Sequence, residues 1–156
     1  MAYYTKVLQP DEVVRVIGRL HWSVYVRGLI VIVLAGAIEV LALSGRLPNP
    51  DWQRYADIAA ALIGAFGLLL LLAAWIRRRA TEIVVTDRRV IFKRGLLTRH
   101  TVEMNVSKIE TVDVEQGIGG RMWNYGTLMI RGTGAGFEPL EGVGSPIAIR
   151  NAIVAG

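Results

Sequence analysis

The sequence has 156 residues, a formal net charge of +5 and no cysteine. This length suits one domain with attachments, and the lack of cysteine excludes disulfides and cysteine-ligated metal sites. The charge is uneven, because residues 77–99 contain eight Lys or Arg whereas residues 101–115 are acidic. An evenly basic chain would favour nucleic acid, but a basic band that follows an apolar stretch favours an anionic membrane surface and no nucleic-acid partner.

Residues 1–23 precede the apolar part of the chain and are predicted to form a short N-terminal segment. Within it, Val13 to Leu20 alternates in the manner of a β-strand. About twenty mostly polar residues come before the first apolar stretch, and no small-residue cleavage site follows that stretch, so no secretory signal is expected.

Two apolar stretches are each long enough to cross a bilayer as a helix. Ile58 to Ile76 contains no charged residue and would span about 28 Å, close to the hydrocarbon thickness of a bilayer. Val24 to Leu43 has the same character but carries one charge near each end. Both are predicted transmembrane helices, and the loop Ser44 to Asp57 joins them, so residues 24–76 form a helical hairpin.

The orientation of this hairpin follows from its basic residues. Arg19, Arg27 and the run Arg77 to Arg79 lie at one pair of ends, while the loop at the other pair has no net charge. Basic residues mark the cytoplasmic side, so both termini are predicted inside and the loop outside.

Glu39 in the first helix has two interpretations. It lies about one turn from the helix end, where it reaches the interface or becomes protonated at modest cost. The alternative is a proton or ion pathway, for which Ile58 to Ile76 offers no ionisable partner.

Small residues at a spacing of four indicate a packing face on the second helix. These residues are Ala56, Ala60 and Gly64, and the first helix could approach them closely. The alternative is that they face lipid.

After Arg79 the hydrophobic period changes to two, which is typical of strands separated by glycine turns. The predicted strands are Thr81–Thr86, Val90–Arg94, Thr101–Val106, Ile109–Gln116, Thr127–Arg131 and Phe137–Leu140. A C-terminal helix follows, with Ser145 as N-cap, Pro146 in the first turn, and Ile149, Ala152 and Ile153 on one face. Residues 77–156 are therefore predicted to be a strand-rich cytoplasmic domain.

Five motifs carry a resemblance to a known family: W-I-R-R-R at the helix exit, T-D-R-R-V-I, R-G-L-L-x-R, V-x-M-N-V-x-K-I-E-x-V-D-V and Y-G-T-L-M-I-R-G-T-G. With them the chain resembles the bacterial pleckstrin-homology-like (PH-like) family in its membrane-anchored form. The resemblance implies a partly open antiparallel barrel of about seven strands capped by a C-terminal helix, with Val13 to Leu20 as the candidate missing strand. It also implies a multi-pass protein of the bacterial inner membrane, and it supplies no common catalytic residues.

No catalytic, cofactor or metal site is expected. His21 and His100 each lack a second ligand at metal spacing. Gly132, Gly134 and Gly136 are interpreted as a hairpin, because no helix with Lys-Ser or Lys-Thr follows them as in a phosphate loop.

Two surfaces are candidates for binding. The predicted lipid contacts are Arg77, Arg78, Arg79, Arg88, Arg89, Lys93, Arg94 and Arg99, with a solvated face and topology signal as the alternative. The predicted interaction residues are Ile118, Met122, Trp123 and Tyr125, which either pack under the barrel or form an exposed patch for another subunit or the membrane.

These features predict a non-enzymatic, membrane-anchored adaptor or assembly subunit that binds protein at the cytoplasmic face. Its expected partners are membrane lipids and either further copies of itself or a larger membrane complex. One alternative is a module that senses anionic lipid. Another is a subunit of a membrane enzyme or ion-conducting complex that uses Glu39.

Overall fold

The computed structural model describes residues 9, 11–45, 49–95, 100–133 and 139–155. The chain divides into two compact units. The helical unit is Trp22–Ile76, and the second unit, called the domain below, joins the residues up to His21 to those from Arg77 onwards. The N-terminal segment therefore belongs to the same compact unit as the strands that follow the helices.

The helical unit contains two helices. A single 3₁₀ turn, Trp22–Tyr25, leads into α1 (Val26–Leu43), and α2 runs from Pro50 to Ala80. The second helix begins earlier than Ile58, inside the predicted loop. Two local features explain this start: the Asn49 side chain accepts a hydrogen bond from the Asp51 amide at 3.0 Å, and Pro50 is preorganised for the first helical position.

Both helices are long and apolar enough to cross a membrane, as judged by length and composition. Only 17% of the most apolar 18-residue window of each helix is buried. A core helix of a soluble protein would bury its large side chains, whereas here Leu29, Val33, Leu62 and Leu69 are exposed. The large apolar side chains of these helices therefore find little cover within the described protein.

Within the helical unit, the buried residues of the two helices are small and recur every seven residues. They are Gly28, Ala35 and Ala42 in α1, and Ala60, Gly67 and Ala74 in α2. A Cβ atom added to Gly67 would lie 2.7 Å from Ile32 Cγ1, so the two backbones approach too closely there for a larger residue. A seven-residue repeat is the spacing of helices that pack at a shallow angle.

The predicted packing face at a spacing of four is met only in part. Ala60 is buried, and a Cβ atom on Gly64 would lie 3.7 Å from the Cβ of Ala35, whereas Ala56 is half-buried. Residues spaced by four rotate around the helix relative to a contact line that repeats about every 3.5 residues. Over two turns, residues at this spacing therefore do not all face α1.

The domain contains two antiparallel sheets and two further helices. The first sheet has the order β1 (Val14–Arg19), β2 (Glu82–Thr86), β3 (Arg89–Arg94), β4 (His100–Asn105). The second sheet has the order β5 (Ile109–Glu115), β6 (Tyr125–Gly132), β7 (Leu140–Gly144). A short helix, α3 (Ile118–Met122), connects β5 to β6, and α4 (Pro146–Val154) follows β7.

The candidate strand before the helices is confirmed as β1, which pairs antiparallel with β2 and places Gly18 opposite Ile83. The two sheets meet through Leu20 and Val143, which form an isolated bridge, and through the His21 amide, which donates to the Gly142 carbonyl at 2.7 Å. The predicted partly open barrel of about seven strands with a C-terminal helix is therefore confirmed.

Helix α4 covers the barrel with Ile149 and Ile153, which are both buried. Gly18 is needed under this helix, because a Cβ atom there would lie 2.6 Å from Ile149 Cδ1. Ser145 precedes α4 as predicted but makes no capping hydrogen bond with its side chain. It adopts a left-handed conformation, and its hydroxyl instead accepts a hydrogen bond from Asn124 Nδ2 at 3.1 Å.

The two ends of the barrel differ in what the chain attaches to them. We call the end that contains His21 and Arg77 the junction end, because these residues are bonded directly to the helical unit. Strand β2 starts near Arg77 and runs to the opposite end, where Asp87 and Arg88 make the turn into β3. Strand β3 then returns, so it ends with Lys93 and Arg94 at the junction end.

Candidate functional site

The predicted lipid contacts divide into two groups that lie at opposite ends of the barrel. The pairing of Glu82 with Lys93 places Lys93 and Arg94 at the junction end. Arg88 and Arg89 lie at the opposite end, and at about 3.3 Å per residue the two ends of β3 are roughly 17 Å apart. Arg99 lies outside the described residues. These basic residues therefore do not form one continuous surface.

At the junction end, the arginines that follow the apolar stretch have different environments. Arg78 Nε donates a hydrogen bond to the Leu20 carbonyl at 3.1 Å, which ties the chain leaving α2 to the chain that leads into α1. Arg77 and Arg94 line a common cavity of about 180 Å³ together with Thr81. This cavity brings together two cationic side chains that are seventeen positions apart in the sequence.

At the opposite end, Arg89 lies in an ion-pair network. Its Nε and Nη2 donate to the two carboxylate oxygens of Glu12 at 2.9 and 2.8 Å, and its Nη1 donates to Glu103 at 2.8 Å. The Arg89 side chain is only 14% exposed and that of Glu12 is fully buried. A guanidinium held by two carboxylates is poorly placed to bind a headgroup, so Arg89 has a structural role rather than the predicted lipid contact.

The network also fixes the ionisation of its members. The hydrogen bonds from Arg89 hold the pKa of Glu12 at about 2, and the contact with Glu12 raises the pKa of Arg89 above its usual range. The Thr86 hydroxyl lies 2.8 Å from Glu12 Oε1 and completes the network. Both groups therefore stay charged at neutral pH.

The backbone beside Glu12 is held by the same turn. The Val13 amide donates to Asp87 Oδ1 at 3.0 Å, and the Asp87 amide donates to the Val13 carbonyl at 3.1 Å. No local sequence pattern connects residues 12 and 89, so sequence reasoning missed this network.

The predicted interaction residues are placed around α3 at the junction end. Ile118, Met122 and Trp123 are 85%, 72% and 53% exposed, and we call these three residues the α3 surface. These three side chains are therefore exposed and do not pack under the barrel, and their role as a binding patch stays a prediction.

Tyr125 is not part of this exposed patch. Its ring stacks on that of His21 with centroids 5.1 Å apart and an angle of 16° between the planes. Burial of His21, with the positive charge of Arg78 nearby, lowers the pKa of the imidazole below its usual range. The stacked ring is therefore neutral at pH 7, and no feature of the sequence linked His21 to Tyr125.

A comparison with family models identifies the type of protein. The model described as "Bacterial PH domain" matches residues 23–152, which is most of the chain. The chain belongs to the bacterial PH domain family. Membership supports a module that interacts with protein or lipid, and domains of this family are generally non-enzymatic. Searches of curated proteins and of solved structures found no match.

The family match starts at Ser23 and so leaves out two parts that this bacterial PH domain protein uses in its fold. One is β1, which forms an edge of the first sheet. The other is Glu12, whose side chain is buried against Arg89. The complete domain is therefore assembled from both sides of the helical unit.

Acidic residues cluster in one place within the helical unit. Glu39 and Asp57 line the same shallow cleft, together with Ala35, Gly36 and Ala60. Asp57 belongs to α2, because this helix starts at Pro50. Within the described residues, the Oδ1 atom of Asp57 is buried without a hydrogen-bond partner. Glu39 therefore has an ionisable neighbour that lies just outside the predicted helix Ile58 to Ile76.

Metal binding has no candidate in the described ranges of this bacterial PH domain protein, where no group of three His, Asp or Glu side chains could hold an ion. Two surface features lie at the junction end. These features are the cavity lined by Arg77 and Arg94 and the apolar α3 surface.

Proposed function

We propose that this protein is a non-enzymatic adaptor or assembly subunit, anchored in the bacterial inner membrane by α1 and α2. In this proposal the PH-like domain lies in the cytoplasm and binds another protein chain, either a second copy or a different subunit. The observation that carries the proposal is the exposed α3 surface on a folded domain.

The membrane anchor accounts for the side chains that the helical unit leaves exposed. Burying one large apolar side chain is worth about 1.5–3 kcal/mol, and α1 and α2 expose many of them. A bilayer would cover these faces without a protein partner. The positive-inside rule then puts Arg77 to Arg79, both termini and the domain in the cytoplasm.

The α3 surface has the composition of an interface centre. Ile118 and Met122 are four residues apart and share one side of the helix, and Trp123 follows directly. Trp and Met are enriched where proteins meet, because Trp buries a large area and the flexible thioether side chain of Met adapts to irregular surfaces.

The backbone that carries the α3 surface is held by side-chain hydrogen bonds, which favours binding without rearrangement. Gln116 Nε2 donates to the carbonyls of Gly120 and Tyr125 at 3.2 and 2.9 Å. These bonds join the two chain segments that flank α3 and hold the middle of the helix against them. A rigid apolar surface loses less entropy on binding than a mobile one.

The helical unit offers less for association than the sequence alone indicated. Ala60 and Gly64 pack within the hairpin, against α1, so they are not available to a second copy. The proposal therefore places the main contact on the domain, not on the predicted helix-packing face.

The association is tested with the full-length protein in mild detergent by measuring the mass of the purified particle. We expect a particle larger than one chain, and we expect Trp123→Ala to reduce its mass to that of the monomer. Loss of an interface anchor costs about 2 kcal/mol or more. The matched control is Ile147→Ala, because Ile147 is also about half exposed but lies on α4. A parent protein that runs as a lone chain with no co-purifying partner would overturn the proposal.

The topology is tested separately by reporter fusions. A reporter after Gly156 should be active only in the cytoplasm, and one inserted at Asn49 only outside. Reversal of either result would move the domain to the other side of the membrane and exclude a cytoplasmic partner.

A second candidate function is contact with anionic lipid. It is favoured by the position of Lys93 and Arg94 at the junction end, beside the arginines that follow the apolar helix. Each basic residue close to an anionic leaflet contributes about 1 kcal/mol. Such contacts would orient a domain that the helices already hold at the surface.

A further inference from the structure

The cavity at the junction end has a lining suited to one chemical group. Its polar lining includes Arg77, Thr81, Arg94 and Glu141, and buried apolar side chains such as Phe92 and Leu140 form part of the rest. All of these residues belong to the domain.

The two guanidinium groups define the ligand class. Arg presents a planar fork of N–H donors that matches the oxygens of a phosphate, and such charge-assisted hydrogen bonds are roughly twice as strong as neutral ones. Thr81 is a third polar residue of the lining and is itself buried. The buried side chains of Phe92 and Leu140 form apolar walls beside these donors.

The size of the cavity restricts the ligand further. At about 180 Å³ it has room for roughly six water molecules at about 30 Å³ each. This volume accommodates a phosphate group and the first carbon atoms attached to it.

The position of the cavity identifies the source of the phosphate. Arg77 follows Ile76, the last residue of the apolar stretch. When α2 spans a bilayer, Arg77 lies at the level of the lipid headgroups, where phosphodiesters are the most abundant anions.

We propose that the cavity lined by Arg77, Thr81 and Arg94 binds the phosphodiester of an anionic phospholipid in the cytoplasmic leaflet. This site rests on the proposed insertion of α1 and α2 in the membrane, and it is independent of the α3 surface. Anionic lipid is then bound at defined residues, in addition to the general attraction between the basic residues and the leaflet.

Glu141 lowers the positive charge of the cavity lining. Two arginines and one glutamate give the polar lining a net charge of +1. A phosphodiester carries one negative charge, so one such group neutralises this lining.

The test counts lipids retained by the full-length protein. The full chain is required, because β1 precedes the helices and a fragment that starts after α2 would lack it. Protein in detergent micelles is titrated with phosphatidylglycerol or phosphatidylcholine, and bound lipid is counted by native mass spectrometry. We expect the parent protein to retain phosphatidylglycerol in preference to phosphatidylcholine.

Three variants locate the binding. Arg94→Gln should weaken phosphatidylglycerol binding about tenfold, the loss expected for one charge-assisted hydrogen bond. Glu141→Gln should strengthen it, because the repelling carboxylate is removed. Arg88→Gln is the matched control, since Arg88 is an exposed arginine at the opposite end of the barrel, and it should bind like the parent. Unfolding midpoints of all variants show whether the fold is kept.

The remaining outcomes separate this proposal from the proposed function. If Arg94→Gln and Arg88→Gln weaken binding equally, the site is wrong, while the membrane anchor and the association through α3 stand. If inorganic phosphate competes with the lipid at equal concentration, the ligand is a free phosphate ion and the lipid source is wrong. A full-length chain that fractionates away from membranes would overturn both proposals.

Discussion

The helical unit and the domain use apolar residues in opposite ways. In the helical unit the buried positions are Gly and Ala, and large residues such as Leu62 and Leu69 are exposed. In the domain most buried positions are large, including Ile83, Leu128 and Ile130, and most exposed positions are polar. The difference shows what each unit packs against: close backbone contact is gained between two helices, whereas a barrel core is filled by side-chain volume.

The largest effect should come from truncating one large apolar side chain to Ala in each unit, which removes three carbon atoms in both cases. Ile83→Ala should lower the free energy of unfolding by about 2–5 kcal/mol, because Ile83 is completely buried in the barrel. Leu69→Ala should change it by no more than about 0.5 kcal/mol, because Leu69 is 63% exposed on α2. Denaturant unfolding of the full-length protein in micelles measures both. Equal losses would mean that the Leu69 face of α2 packs against protein.

The ion-pair network of the domain offers the next test. Arg89→Gln should lower stability by about 3 kcal/mol, because it leaves the buried carboxylate of Glu12 without its partner. The control Arg88→Gln alters an arginine with a 54% exposed side chain and should change stability by about 0.5 kcal/mol or less.

A double variant checks that the loss comes from the network itself. Adding Glu12→Gln to Arg89→Gln should recover part of the stability, because the unpaired charge is then removed. If the two single arginine variants are equally stable, the Glu12 contact contributes nothing.

The close approach of the helices is tested by two separate variants, each of which replaces one glycine with Leu. Gly67→Leu should lower the unfolding midpoint by an amount that corresponds to about 1–3 kcal/mol, because its side chain would overlap Ile32. Gly36→Leu is the matched control, since a Cβ atom at Gly36 meets no atom within 4 Å. A destabilised Gly36→Leu with an unaffected Gly67→Leu would contradict the seven-residue seam.

The smallest effect expected near neutral pH is the loss of stability on acidification. Glu12 has a pKa of about 2 in the folded protein against 4.5 as its ordinary value, so its stabilisation is present above about pH 4.5 and is lost as pH falls towards 2. The pKa of His21 is lowered from 6.5, so the neutral imidazole stabilises the fold above that pH and its contribution is lost below it. Stability should therefore fall in two steps on acidification.

Two variants assign the acid steps when unfolding midpoints are measured across the pH range. His21→Phe keeps an aromatic ring for stacking on Tyr125 and should remove the step that starts below pH 6.5. Glu12→Gln should flatten the step at lower pH. A parent protein whose stability rises on acidification would show that the sign of both shifts is wrong.

Much of the fold could be predicted because its signals are local. The two apolar helices, the strands and the C-terminal helix each follow from a hydrophobic period within a few residues. The helix boundaries were less accurate, since Asn49 and Pro50 start α2 within the predicted loop. The last strand begins at Leu140, where the predicted strand Phe137 to Leu140 ends, and residues 134–138 lie outside the described residues.

The binding surfaces were predicted less well, because they depend on where strands start and end. The sequence grouped Arg88, Arg89, Lys93 and Arg94 as neighbours, and the return of β3 separates them by the length of a strand. Exposure of the α3 surface was one of two alternatives, and only the packing of the barrel selected it.

The sequence by itself determined the two apolar helices, the family and the strand-rich domain, because these depend on composition and on periods that repeat over neighbouring residues. Only the tertiary structure decided the contacts between distant residues: Glu12 with Arg89, which are 77 positions apart, His21 with Tyr125, and Arg77 with Arg94 around one cavity. The physical reason is that β1 and β2 are separated by the helical unit in the chain but pair in one sheet. Their register brings residues from both sides together, and no local pattern records that register.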